Sequence, residues 1–294
     1  MPVSTSGALN APPAHVKVHI RASSRLALGN FTELWDYRDL FSLLVWRDFV
    51  AKYKQTALGP IWFVLQPLLP TVVFTIIFGK VAGMSTDGMP GFLFFFCNQI
   101  FWGYFAANFT SVSTSLLANQ NVFSKVYFPR LVVPLSSLAS NAFSCLVQMA
   151  LFVAFYVWFK LPGHGGEALQ LNWGLLLLPL VVLLLAAQGL GFGLWMAALT
   201  AKYRDLQQIS QVIIQMWMYG SAIIFPLSQI PEKYRVWVLL NPVTFVSEAA
   251  RVCLLGTGTI TWESGLTSVA ITVLVLFTGL ALFDRVARVF VDIA

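Results

Sequence analysis

The fold class is decided by residues 168–201, ALQLNWGLLLLPLVVLLLAAQGLGFGLWMAALTA, a run without Asp, Glu, Lys or Arg. A helix needs about 20 apolar residues to cross a bilayer core of about 30 Å, so this run is long enough to span a membrane. Five other runs also lack the side chains that are costly at mid-membrane: 55–79, 88–124, 131–159, 206–231 and 264–283. We therefore predict an all-α integral membrane protein with six transmembrane helices, near 60–81, 91–115, 131–158, 173–199, 206–226 and 264–284.

The composition supports the same class. Hydrophobic residues make up 58% of the 294-residue chain, charged residues only 10%, and mean hydropathy is +0.76. A soluble globular protein has about a quarter of its residues charged. The net charge is +6, and the basic residues lie between the apolar runs rather than in one patch. This distribution indicates membrane topology, so we predict no nucleic-acid partner.

Topology follows from the positions of Lys and Arg, which are enriched in cytoplasmic segments. With the N-terminus inside, 13 of the 18 basic residues fall on inside segments and five on outside segments. We therefore expect a multi-pass protein of the inner membrane with both termini in the cytoplasm.

The first 55 residues divide into two parts. Residues 1–30 are rich in Ser, Ala, Pro and Gly, and we expect a mobile tail. Residues 31–55 place Tyr37, Phe41 and Val45 on one helical stripe beside polar positions, which predicts an amphipathic helix in the cytoplasmic membrane interface. The alternative is a helix packed on another cytoplasmic element. The transmembrane domain then occupies 56–294.

Residues 231–256 predict a different structure between the fifth and sixth spans. The uncharged runs 236–247 and 252–262 are too short to cross a membrane. We predict two short helices forming an outer, re-entrant hairpin, whose marked residues are Pro231, Asn241, Pro242, Glu248 and Arg251. Glu248 and Arg251, three residues apart, are predicted to form a solvated pair.

Several kinds of chemistry are missing from the sequence. No ionisable residue lies in the middle of a predicted span, so ion coupling is not expected. The only Gly-Lys pair, Gly79-Lys80, is followed by Val81, so no phosphate-binding G-x-x-x-x-G-K-[ST] loop is present. No catalytic or metal-binding set is recognisable either. We predict a non-enzymatic transport subunit without a cofactor, whose energy for uphill transport comes from another subunit.

Uncharged polar and aromatic residues are the candidate channel lining. The third span carries Asn141 and Gln148 on one polar stripe, the fifth span carries a second stripe, and the second span is rich in rings. The candidates are Gln208, Gln211, Gln215 and Tyr219 on the fifth span, and Phe101, Trp102, Tyr104 and Phe105 on the second span. Such groups can exchange hydrogen bonds and stacking contacts with a hydroxyl-rich solute. Interhelical hydrogen bonding and an aromatic membrane belt are the alternatives.

Two further patterns indicate contacts. Ala186, Gly189, Gly193 and Ala197 form a small-residue stripe, which is typical of close helix packing. The loop 119–130, NQNVFSKVYFPR, is basic and aromatic, which favours docking of a cytoplasmic partner or, alternatively, membrane anchoring. The candidate docking residues are Asn121, Lys125, Tyr127, Phe128 and Arg130.

Four blocks together resemble one family. They are KYKQTALGPIWFVLQPLLPTVVFTIIFGKVAG (52–83), NQNVFSKVYFPRLVVPL (119–135), AKYRDLQQI (201–209) and LLNPVTFVSEAARVCLLG (239–256). In order and spacing, they are similar to the permease subunits of bacterial type-2 ABC exporters of cell-surface polysaccharides, such as O-antigen and teichoic acid.

The resemblance implies a homodimer in the bacterial inner membrane with two copies of a separate ABC ATPase subunit, which would bind ATP and Mg²⁺. It also implies that 119–130 is the coupling segment, that 231–256 is the outer gate, and that the cargo is glycan linked to undecaprenyl pyrophosphate. Ala249-Ala250 departs from the Gly-Phe common in relatives before the arginine. The alternatives are a type-2 ABC permease for a lipid or drug, and a membrane-embedded lipid or sugar transferase.

Overall fold

The computed structural model describes residues 35–52, 54, 59–123, 128–169 and 172–293, and the regular structure within them is helical. The predicted all-α class is therefore confirmed. The predicted tail, 1–30, and the predicted start of the first helix lie outside the described residues.

The principal helices overlap the predicted spans. In chain order they are α1 (Arg38–Ala51), α2 (Trp62–Phe74, continued by a π-helix, Thr75–Val81), α3 (Gly91–Ser113), α4 (Val132–Lys160), α5 (Leu178–Lys202, after a 3-10 turn, Trp173–Leu177), α6 (Leu206–Tyr219), α7 (Glu232–Leu239), α8 (Pro242–Leu255) and α9 (Trp262–Ile293). Shorter turns of helix occupy Gly59–Ile61, Ser115–Ala118, Gln120–Phe123 and Leu227–Gln229.

Four helical segments are long and apolar enough to cross a membrane: Trp62–Val81, Val132–Lys160, Trp173–Lys202 and Trp262–Arg288. Helices α7 and α8, bent by 99° at the break between them, add a fifth if the pair forms one broken span. The chain is thus a multi-pass membrane protein with four or five candidate spans among the described residues.

The second and fifth predicted spans differ from these. Helix α3 has 23 residues, but Asn98, Gln99 and Asn108 interrupt its apolar surface. Helix α6 has 14 residues and is about 21 Å long at 1.5 Å per residue. It ends at Tyr219 rather than near 226, and the chain turns there; just beyond the turn, the Asn241 side chain donates to the Ser221 hydroxyl at 2.7 Å.

Helix α3 lies at the centre of the fold and packs against α2, α4, α5 and α8. Glycines of α5 allow the closest approach. A Cβ added at Gly189 would lie 2.6 Å from the Asn108 Cβ, and one at Gly193 would lie 2.7 Å from the Val112 Cβ. Both distances are shorter than van der Waals contact. The predicted role of this small-residue stripe in close helix packing is confirmed.

Helix α2 is irregular because it contains Pro67 and Pro70, which lack the backbone N–H that an α-helix uses. The Thr71 hydroxyl donates to the Pro67 carbonyl at 2.7 Å, and the Thr75 hydroxyl donates to the Thr71 carbonyl at 2.7 Å. Hydroxyl groups of this kind satisfy carbonyls in a membrane helix that water does not reach. The irregular face of α2 borders the cavity described below.

Helix α1 lies against α4. Leu44 is buried in this contact, and Tyr37 and Phe41 are half-buried. On the outer face, Trp35 and Trp46 are 70% and 68% exposed. Exposed tryptophans are typical of a helix in a membrane interface, and the location of this helix at the cytoplasmic interface stays a prediction.

Candidate functional site

A cavity of about 860 Å³ lies between α2, α3 and α4, with Lys52 after α1 and Met218 of α6 completing its wall. Its lining is largely uncharged and combines rings with hydrogen-bonding groups. The rings are Trp62, Phe74, Trp102 and Tyr104, and the amides and hydroxyls include Gln66, Gln99, Thr110, Ser111, Asn141, Ser144 and Gln148. Such a wall can bind a polar, uncharged solute along its length.

The structure separates the predicted channel residues into two groups. Trp102, Tyr104, Asn141 and Gln148 line the cavity. Phe101 and Phe105 do not, because their rings are 1% and 0% exposed in the hydrophobic core. The Phe105 ring packs edge-on against Trp217 at 5.2 Å between centroids. Phe101 and Phe105 therefore pack α3 against the core, while Trp102 and Tyr104 on the same helix line the cavity.

The Asn141 amide makes three side-chain hydrogen bonds in the cavity wall. Its Nδ2 donates to the Asn108 Oδ1 at 2.9 Å and to the Ser111 Oγ at 3.1 Å. Its Oδ1 accepts from the Lys52 Nζ at 2.5 Å. These contacts join the end of α1 to α3 and α4 and fix the orientation of the amide.

Sequence reasoning missed several cavity residues, three of which carry long polar side chains. Lys52, Gln66 and Gln99 all line the wall. The signal for Gln66 is an amide beside Pro67 in an apolar run, and the signal for Gln99 is the Asn-Gln pair in the middle of the second span. Lys52 carries no such signal, because only the three-dimensional course of the chain returns its ammonium group to the third span.

The amides of α6 have a different location. Gln208, Gln211, Gln215 and Tyr219 are exposed, and they do not line the cavity. Their neighbour Val212 is also exposed, at 56%. Amide side chains facing lipid would be unsatisfied, so this face of α6 needs a polar surface or water opposite it.

The hairpin contains a buried ion pair, and the prediction that Glu248 and Arg251 form a solvated pair is wrong. The two residues are 1% and 0% exposed, because α8 packs between α3, α5 and α9. The Glu248 Oε1 accepts from the Arg251 Nη2 and from the Leu227 N–H, and its Oε2 accepts from the Thr259 N–H at 3.1 Å. The Arg251 guanidinium lies 4.8 Å from the ring centroid of Phe94. Glu248 therefore joins α8 to the loops before and after the hairpin.

The bend of the hairpin is also tied to its surroundings. The Asn241 Oδ1 caps α8 by accepting from the Val243 N–H at 3.1 Å, and it also accepts from the Trp217 Nε1 at 3.1 Å. The Pro242 carbonyl accepts from the Gln188 Nε2 at 3.2 Å. In contrast, Pro231 at the start of the hairpin is exposed. The bend of the hairpin and α8 are thus anchored to the fold, whereas α7 is exposed.

The predicted coupling segment, 119–130, is partly outside the described residues, which exclude Lys125 and Tyr127. Asn121 is exposed and Arg130 is half-buried. Phe128 is only 4% exposed, and its ring lies 5.4 Å from that of Phe123 between centroids. Phe128 therefore anchors the base of the segment in the fold.

Helix α1 is linked to the start of this segment through polar contacts. The Arg47 Nη2 donates to the Asn119 Oδ1 at 3.1 Å and forms an ion pair with Asp48 at 2.8 Å. The Ser137 hydroxyl of α4 donates to the other Asp48 oxygen at 3.3 Å. A displacement of the segment would thus be transmitted to both α1 and α4.

Comparison with known proteins agrees with this architecture. The chain is 26% identical over 257 residues to the O-antigen export system permease protein RfbA of Klebsiella pneumoniae, covering 87% of this chain and 95% of that protein. It is 27% identical over 242 residues to the polysialic acid transport protein KpsM of Escherichia coli, covering 81% and 89%. It is 23% identical over 267 residues to the capsule polysaccharide export inner-membrane protein CtrC of Neisseria meningitidis, covering 87% and 96%.

A family model also matches most of the chain. The family described as ABC-2 type transporter matches residues 39–255, which extend from α1 to the end of α8. The resemblance seen in the four sequence blocks is confirmed. Because the match covers most of the sequence, this chain belongs to the ABC-2 type transporter family.

Proposed function

We propose that this chain is the membrane-spanning permease of an ATP-driven exporter, which moves polysaccharide linked to undecaprenyl pyrophosphate across the bacterial inner membrane. The observation that carries the proposal is the cavity of about 860 Å³. Rings such as Trp102 can stack on sugar faces, while Asn141 and Gln148 can exchange hydrogen bonds with hydroxyls. The relatives named for O-antigen, polysialic acid and capsule export support the same class of cargo.

The permease acts as a homodimer. The amides of α6 (Gln208, Gln211 and Gln215) are exposed on a single chain, and a second copy, with a water-filled path between the copies, would give them polar surroundings. Closed twofold symmetry is the commonest arrangement of such pairs. The polymer passes between the copies, along this face and the cavity.

The energy comes from two copies of a separate ABC ATPase, which bind ATP and Mg²⁺. The coupling segment 119–130 receives their movement through Asn121, Lys125, Tyr127 and Arg130, while Phe128 holds its base. The contact of Arg47 with Asn119 gives this movement a route to α1. Both termini are cytoplasmic on the basis of the Lys and Arg distribution, and α3 and α6 complete six spans.

The hairpin forms the outer gate. Helix α7 is its exposed part, with Trp237 at 73% exposure, and α8 is its fixed part. Pro231 begins the movable segment, and Asn241 with Pro242 forms the anchored bend on which it turns. Glu248 and Arg251 hold the fixed part in place.

The proposal is tested in a strain that lacks this chain and carries variants of it. Trp102→Ala and Gln148→Leu should lower surface polysaccharide and raise lipid-linked glycan on the cytoplasmic side. Trp173→Ala is the matched control, because that ring is 86% exposed outside the cavity. Normal surface polysaccharide in both cavity variants would refute the proposed pathway. Loss of drug or lipid export instead would favour the alternative type-2 permease.

Dimer formation is tested by cysteine cross-linking. Gln211→Cys in one copy should cross-link to the same position in the partner. Leu274→Cys, exposed on α9 at 62%, is the control and should not cross-link. The native Cys97, Cys145 and Cys253 are buried, so the background is low. Equal cross-linking at both positions would contradict the proposed interface.

A further inference from the structure

One cationic residue lines the otherwise uncharged cavity within the part of the chain that the structure describes. Lys52 follows α1, and its side chain is exposed to the cavity. Its Nζ donates one hydrogen bond, to the Asn141 Oδ1. Since a lysine ammonium has three N–H donors, this contact with a neutral acceptor leaves it able to bind further groups.

The charge of Lys52 is not neutralised by a close carboxylate. Among the described residues, no carboxylate oxygen lies within 4.0 Å of its Nζ. Asp48 is one turn earlier in α1, but its two oxygens bond to Arg47 and Ser137. Partial removal of water by the surrounding protein lowers the pKa of Lys52, and Asp48 only partly offsets this. An anion entering the cavity would therefore gain a charge-assisted hydrogen bond.

Polar groups beside Lys52 suit the same kind of ligand. The Ser111 hydroxyl and the Gln66 amide line the cavity, and both can donate to an anionic oxygen. Trp62, Trp102 and Tyr104 line it too, so a sugar ring can stack in the same cavity that holds the anion. The volume lies within the range of about 300–1,000 Å³ that is typical of ligand sites.

We propose that Lys52, oriented by Asn141 and close to Ser111, forms an anion subsite at the α1 end of the cavity, which takes a phosphate or carboxylate group of the cargo. The subsite rests on the proposed function, since it adds a charged contact to the glycan pathway. Its anion comes either from the phosphates of the lipid carrier or from acidic sugars. A single cation beside neutral groups can bind such an anion reversibly, because no second charge strengthens the binding.

The experiment uses the full chain, purified with its ATPase partner in lipid nanodiscs, and four probes in two pairs. Farnesyl pyrophosphate is compared with farnesol, and oligogalacturonate with maltohexaose. Binding is followed by tryptophan fluorescence, because Trp62 and Trp102 line the cavity, and by calorimetry. At least one anionic probe should bind about tenfold more tightly than its neutral counterpart. Preference in the first pair identifies the lipid carrier as the source, and preference in the second identifies acidic sugar.

Variants test whether the preference for the anionic probe over its neutral counterpart depends on Lys52. Lys52→Gln should abolish it, Lys52→Arg should retain most of it, and Lys80→Gln, an exposed lysine outside the cavity, should leave it unchanged. Retained preference in Lys52→Gln would overturn the proposal, as would equal binding of charged and neutral probes by the unmodified protein. The comparison of charged with neutral probes uses the unmodified protein, so it does not depend on the folding of a variant. Equal binding would overturn the subsite alone, because glycan transport is tested separately by surface polysaccharide in cells.

Discussion

Removing the Glu248 carboxylate should destabilise the protein more than any exposed substitution. Glu248→Ala leaves the Arg251 guanidinium, which is 0% exposed, without its counter-ion. Breaking one side of a buried pair costs about 3–5 kcal/mol, because the remaining charge stays dehydrated.

The backbone contacts of Glu248 add to this cost. The N–H groups of Leu227 and Thr259 both donate to the carboxylate, and a buried donor without an acceptor costs about 1–3 kcal/mol. We therefore expect a loss of at least about 4 kcal/mol, which corresponds to about 8 °C in melting temperature at about 2 °C per kcal/mol. Glu248→Gln should lose less, because its carbonyl oxygen can still accept one of these bonds.

The measurement is thermal unfolding of the purified protein in detergent, followed by loss of the monodisperse peak. Unfolding of such a protein is rarely reversible, so variants are compared at one heating rate. Glu232→Gln on the exposed start of α7 is the matched control. It should melt within about 1 °C of the unmodified protein, since most surface substitutions change stability by less than about 0.5 kcal/mol.

A double variant separates the charge from the backbone contacts. Glu248→Leu with Arg251→Met removes both charges, so part of the stability of Glu248→Ala should return. The recovery should be incomplete, because the Leu227 and Thr259 donors still lack an acceptor. The reasoning is refuted if Glu248→Ala melts within 1 °C of the unmodified protein, or if the double variant melts no higher than Glu248→Ala.

Three further changes test the packing of the fold by the same melting measurement. Gly193→Ala should lower stability by about 1–3 kcal/mol, because its Cβ would lie 2.7 Å from the Val112 Cβ. Gly220→Ala is the control, because its Cβ would make only ordinary van der Waals contacts. Equal melting temperatures of the two variants would contradict this. Gln188→Leu should cost about 1 kcal/mol, because the two N–H donors of its Nε2, which lies 3.1–3.2 Å from acceptors on α8 and α9, are lost. Asn241→Ala should cost at least about 1 kcal/mol through its lost cap, and no change would show that the bend is held by other groups.

The long helices were predictable because lipid imposes a strong requirement on the sequence. A segment that crosses hydrocarbon must be apolar along its whole length and must satisfy its own backbone. Helices α2, α4 and α5 therefore follow their uncharged runs, and α9 begins near its own run but continues past it to Ile293. The small-residue stripe of α5 was predictable for a similar reason, since Gly189 and Gly193 stand one turn apart in an apolar helix.

The rotation of each helix was not predictable in the same way. Rings follow one another closely along the second span, so the sequence does not distinguish Phe101 and Phe105 in the core from Trp102 and Tyr104 in the cavity wall. The extent of α6 was missed because the uncharged run continues past Tyr219 to Pro231, so the sequence pattern does not mark the end of the helix. Glu248 and Arg251 were expected in solvent because charges normally are, and only the packing of α8 shows that they are buried.

The polar groups of this protein divide according to whether the fold already satisfies them. Gln188 and Glu248 make contacts that join several elements, so their removal should change stability before it changes transport. Gln211 is exposed on α6, and Lys52 is exposed to the cavity beside Asn141. An exposed amide or ammonium contributes little to the packing of a single chain, so we expect a second copy, cargo or water to satisfy it. Residues of this second kind are therefore the ones at which substitutions should alter cargo or assembly while leaving the melting temperature unchanged.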